Sequence, residues 1–147
     1  MHLKHRFIWS ILALTIASNS HAAQSQALPS EQTVGAIEQV FAFHDAMPTG
    51  VSVAENGRIF VNFPRWGDAV PFTVGELREG KVVPYPDLAL NQADPKDPAK
   101  GFISVQSVVA DGRGRIWILD TAAPGFASPT PGGAKLVAVD LASNKVV

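Results

Sequence analysis

Cysteine is absent from the 147 residues, so no disulfide can staple the fold and its stability has to come from burial. Histidine is scarce. Of the four, His2, His5 and His21 fall within the first 22 residues, which leaves His44 as the only imidazole beyond them. That excludes a multi-histidine metal site and makes any Ser-His-Asp arrangement depend on His44. Charge of one sign is lacking too, since 12 basic against 13 acidic side chains give a net charge of -1. Nucleic acid finds no basic footprint here. The sequence also lacks a phosphate loop, a dinucleotide fingerprint, a GxSxG elbow and an EF-hand loop. What remains as a partner is a small molecule, or none. What is present is apolar: 46% hydrophobic residues are enough for one globular domain and argue against disorder.

Long hydrophobic runs are likewise missing, with one short exception near the N-terminus. Lys4 and Arg6 precede an uncharged, largely apolar run from Phe7 to Ala17, and Ser20-His21-Ala22 then places small residues where a signal peptidase reads. Eleven residues are too few to cross about 30 Å of hydrocarbon at about 1.5 Å each. The sequence therefore predicts a signal peptide over 1–22, cleavage after Ala22 and no membrane anchor in the mature chain. Residues 23–35 read as a flexible mature N-terminus, and the domain proper as 36–147. Export without cysteine suits a bacterial periplasm, so the expected location is secreted or periplasmic.

From Glu31 to Phe43 the apolar spacing fits strand and helix alike, and a strand is expected over its second half. Beyond Gly50 short β-rich runs alternate with Gly, Asn, Asp and Pro. Val51–Ala54, the turn Glu55-Asn56-Gly57 and Arg58–Phe63 read as a hairpin. Ser107–Ala110, the turn 111–114 and Arg115–Asp120 read as another. The two match side chain for side chain: Gly57-Arg58-Ile59-Phe60-Val61 against Gly114-Arg115-Ile116-Trp117-Ile118. A second match aligns Phe72–Val83 with Leu136–Val147, and the extra residues between the blocks fall in the Pro- and Gly-rich stretch Ala122–Ala134, expected to be an exposed loop. Each repeat then reads as four antiparallel strands, the size and content of a β-propeller blade. Apolar residues on both faces of the second strand imply a sheet packed between two neighbours, with Ile59, Val61, Ile116 and Ile118 buried and neither face meeting water.

The segments PTGVSV (48–53), GRIFVNFPRWGD (57–68), SVQSVVADGRGRIWILDT (104–121) and KLVAVDLASNKVV (135–147) resemble the major royal jelly protein and Yellow family. The resemblance implies a secreted six-bladed propeller of which about two blades are present. The fold class is therefore all-β, an incomplete propeller whose remaining blades are missing, and the sequence reads as an N-terminal fragment. Gly112-Arg113-Gly114 stands where insect relatives carry cysteine nearby, which points to the bacterial branch. Family members include proteins linked to dopachrome conversion, binders of biogenic amines, and nutrient or structural proteins, while similar bacterial propellers open sugar lactones. Fold alone does not choose among them.

Six residues are the candidates for chemistry. Asp120, at the end of a buried strand, can present a base or ligand at the mouth of the channel or cap the turn that follows. His44 can serve as a general base or stand as a polar turn residue. Asn62 occupies the neighbouring register in the first repeat, and Thr121 follows Asp120. Arg65 and Trp66 can clamp a carboxylate and stack on a ring, or Arg65 pairs with Asp68 while Trp66 fills the gap between blades. A metal would need Asp120, Asn62 or Glu55 to converge with further ligands, and no local motif supports one. No cofactor is indicated. Two functions follow: an exported enzyme of the dopachrome-tautomerase or lactonase kind when the ring is complete, or a propeller that binds a small ligand without catalysis. The chain by itself is expected to do neither and to aggregate through its open faces.

Overall fold

In the computed structural model, which describes residues 34–147, eight strands form two four-stranded antiparallel sheets. The first holds β1 (Gly50–Val53), β2 (Ile59–Asn62), β3 (Val74–Arg78) and β4 (Lys81–Pro84), paired in chain order. The second holds β5 (Val105–Ala110), β6 (Arg115–Asp120), β7 (Lys135–Asp140) and β8 (Lys145–Val146), again in chain order. These are the two blades. Among the described residues no helix is long and apolar enough to cross a membrane.

The turns explain why the repeat is legible. Gly57 and Gly114 occupy matched places and take nearly the same left-handed φ, 80° and 82°, which only glycine adopts without a Cβ clash. In each turn a side chain reinforces the bend: Asn56 Oδ1 accepts from Arg58 N–H at 3.2 Å, and Asp111 Oδ1 accepts from Arg113 and Arg115 N–H at 2.8 and 3.1 Å.

The core lies between the blades. Phe60, Val74 and Tyr85 of the first pack with Val105, Val108, Ile116, Ile118 and Val139 of the second, all essentially closed to water. A side-chain staple crosses the same joint. The Arg58 guanidinium grips Glu76 through two bonds of 2.6 and 2.8 Å, then donates to Leu141 O at 2.7 Å and Asn144 Oδ1 at 2.8 Å in the other blade.

Three expectations need correction. No strand forms between residues 34 and 49; Phe41 and Phe43 instead stack edge to face and join Phe63, so side-chain packing holds the segment where a ladder was expected. The loop 122–134 is exposed only in part, because Ala122 and Gly133 are buried beneath it. Finally, one face of each blade does meet water. Val51 and Val53 of β1, with half-buried Ile59, lie on one such face, and Val109, Leu119 and Leu136 on the other. Side chains alternate along a strand, and only one face of each blade has a neighbouring sheet. The expected signal peptide and the residues up to 33 lie outside the described residues.

Candidate functional site

Five of the six candidates gather at one end of the blades, where Asn62 pairs with Gly50 and Asp120 with Val105. Asp120 is fully buried. Its Oδ1 accepts from the N–H groups of Ser104 and Ala122, both at 2.9 Å, and its Oδ2 from Ile103 N–H at 2.7 Å and Lys135 Nζ at 3.0 Å. Lys135 also donates to Pro98 O and Gly133 O. The carboxylate is thus saturated by four donors and neutralised by a cation that is itself fully engaged. It caps the following turn and ties the entrance of β5 to β7.

Arg65 does not pair with Asp68, whose carboxylate accepts from Met47 N–H at 3.0 Å. Its guanidinium instead turns inward to three carbonyls, Ile103 O at 3.0 Å, Asn91 O at 3.2 Å and Val70 O, while its backbone N–H donates to Ser104 Oγ at 3.1 Å. Burial lowers its pKa, against the pull of the nearby Asp120 charge. Trp66 stacks on Phe126, with centroids 4.5 Å apart and planes at 26°. Thr121 Oγ1 donates to Ser104 O at 3.2 Å. Asn62 is buried, and its Nδ2 donates to Thr49 Oγ1 at 2.9 Å and across the joint to Val105 O at 3.0 Å. Its Oδ1 lies against Gly50, where no Cβ would fit, and has no hydrogen-bond partner.

His44 lies apart from this cluster. It is exposed, lining a cavity of about 430 Å³ with Phe41, Phe63, Phe72, Lys81 and Val82, and none of the other five candidates lines it. Glu55 sits at the opposite end, in the β1–β2 turn, so the oxygen ligands a metal would need are not brought together. Among the described residues no three His, Cys, Asp or Glu side chains cluster to hold a metal. None of the six candidates hydrogen-bonds to another among the described residues. What the end of the blades does hold is a buried polar network whose side chains mostly satisfy backbone groups.

Sequence reasoning missed Lys135, whose ammonium meets Asp120, and three further members of that network. Asn91, fully buried, accepts from Thr73 and Val74 N–H and donates to Tyr85 O and Asp87 O, all within 2.8–3.0 Å. Thr73 bridges Phe63 O and Val105 N–H, and Ser104 serves Arg65. Nothing in their local pattern marks them out. Arg58 is different: its recurrence as Arg115 in the repeated block was a visible signal.

Residues 103–147 match the family model described as major royal jelly protein. The chain is 30% identical over 135 residues to Protein yellow of Drosophila melanogaster and of Drosophila subobscura, covering 87% of this chain and 23% and 22% of theirs. It is 33% identical over 93 residues to Protein yellow of Drosophila pseudoobscura pseudoobscura, covering 58% of this chain and 16% of that protein. The chain therefore spans less than a quarter of the length of these relatives.

Proposed function

Because the chain belongs to the major royal jelly protein and Yellow family, we propose that it supplies two blades of an exported propeller that binds a small ligand at its axis, and that these blades form wall and not catalytic centre. One observation carries the second half of this reading: the carboxylate of Asp120 is already saturated by Ile103, Ser104, Ala122 and Lys135. A general base needs a free lone pair within reach of substrate. Asp120 would have to abandon a buried ammonium to offer one. His44 has none of the other candidates beside it to orient its ring. Export rests on the basic start, short apolar run and small residues that end at Ala22.

The test uses the exported protein, purified as the cell makes it, with tryptamine and dopamine as aromatic, cationic probes. Calorimetric titration is expected to give saturable binding, while dopachrome conversion and lactone hydrolysis stay at the uncatalysed rate. Turnover of either substrate that falls tenfold or more in D120N or H44A would overturn the reading and favour a tautomerase or lactonase.

A further inference from the structure

We propose that the stacked rings of Trp66 and Phe126 form a binding platform for a linear saccharide, one pyranose ring of which lies on the open face of Phe126. Phe126 occupies a place that the fold does not explain. It is 72% exposed, so burial offsets little of the apolar surface it presents. Its backbone is left-handed, with φ at 58°, and follows Gly125 at 61°. Glycine adopts that region freely, whereas a Cβ there crowds the following carbonyl, and a bulky residue in it is an outlier. An aromatic ring is thus held out in water against backbone strain. Strain of this kind clusters at ligand sites.

The ring is also fixed in position. One face rests on the Trp66 indole, with centroids 4.5 Å apart. The two rings come from the loops that follow β2 and β6, one in each blade. A backbone bond beside them sets their spacing: Gly125 N–H donates to Arg65 O at 2.7 Å. Arg65 is anchored in turn by its bonds to Ile103 O, Asn91 O and Val70 O. Trp66 N–H donates to Pro64 O at 2.9 Å and Ala127 N–H to Pro124 O at 3.2 Å, which ties down the chain on either side of the stack. A platform assembled before its ligand arrives avoids the ordering cost of binding.

The chemistry around the rings selects the ligand. With the indole on one side, Phe126 offers its other face, and the face of an aromatic ring is its negative part. It attracts the weakly positive C–H groups that line the flat side of a pyranose whose hydroxyls are equatorial. Polar groups flank the rings. Asp68, exposed and two residues after Trp66, accepts from Met47 N–H through Oδ2, and its Oδ1 makes no hydrogen bond among the described residues. Ser128, exposed and two residues after Phe126, carries a hydroxyl that both donates and accepts. Sugar hydroxyls need partners of these two kinds. A flat aromatic ligand is ordinarily enclosed in a concave pocket, whereas a glycan chain can lie across an open surface.

Calorimetric titration of the exported protein, purified as the cell makes it, uses cellohexaose and chitohexaose, whose β-linked rings present flat C–H faces. At least one is expected to bind saturably. Phe126→Ala should weaken that binding at least about tenfold, as for an aromatic anchor, and leave the urea midpoint unchanged. Phe126→Tyr keeps the ring and should bind as the wild type does, and titration with tryptamine should not respond to Phe126→Ala. No binding of either glycan, or a smaller loss in Phe126→Ala, overturns the proposal. A Phe126→Ala midpoint that falls as for a buried aromatic also overturns it, because further chain then covers the ring. Loss of tryptamine binding in the same variant does so too, since it assigns the rings to an aromatic cation.

Discussion

At Asp120 one carboxylate meets three backbone N–H groups and an ammonium, all out of water. Removing it strands four buried donors, one of them charged, so Asp120→Ala is expected to cost about 3–5 kcal/mol by urea unfolding. Asp120→Asn keeps the shape but loses the charge opposite Lys135, and should cost less. Glu76 makes a pH prediction. Burial alone would raise its carboxyl, but the hydrogen bonds from Arg58 and Arg78 more than offset this, and the group lies below its ordinary value of 4.5. A depressed folded value means that the ionised pair stabilises the fold fully above the unfolded pKa, and that this contribution is lost as pH falls through the folded one. Urea midpoints of the wild type should therefore decline as the pH is lowered from about 4.5. Glu76→Gln should start lower at neutral pH and lose less on acidification. Only part of this chemistry is legible in the sequence. That Asp120 caps its turn follows from its place at a strand end, whereas the partners of Arg65 come from Val70, Asn91 and Ile103, and only the folded chain brings these carbonyls to one point.

A strand with one face in the joint and one in water gives an internal control. Ile118 is closed to solvent and its neighbour Leu119 is 42% exposed. Ile118→Ala is expected to cost about 2–5 kcal/mol and Leu119→Ala under about 1 kcal/mol, because only the first leaves a cavity. The turns supply a second test. An added Cβ at Gly114 would meet nothing within 4 Å, so Gly114→Ala should lose only the backbone cost of a left-handed residue, about 1–2 kcal/mol, again by urea unfolding. At this scale the sequence is highly legible, and for a physical reason: a hairpin carries its own turn glycine, its own alternation and, here, a second copy at fixed spacing. The segment around Phe41 and Phe43 was misread as a strand because alternating apolar residues record that side chains are buried, not that the backbone has found a partner. Both phenylalanines are packed, and no ladder is needed to explain them.

At the scale of the two blades, one face of each meets water among the described residues, and Trp117 reports on that of the second. Its indole N–H donates to Asp111 at 3.2 Å and its ring carries the Arg115 guanidinium, yet it is only half-buried and has Leu119 and Val109 exposed beside it. A large aromatic truncated in a closed core costs about 3–5 kcal/mol. In a lone chain Trp117→Ala removes less buried area and should cost less than that. If another sheet covers the face, the ring becomes core and the full figure applies. Urea unfolding of the protein as the cell makes it is therefore expected to separate the two cases: a loss of about 3–5 kcal/mol in Trp117→Ala places the ring in a covered face. A loss well below that range would mean that the indole serves only its own blade.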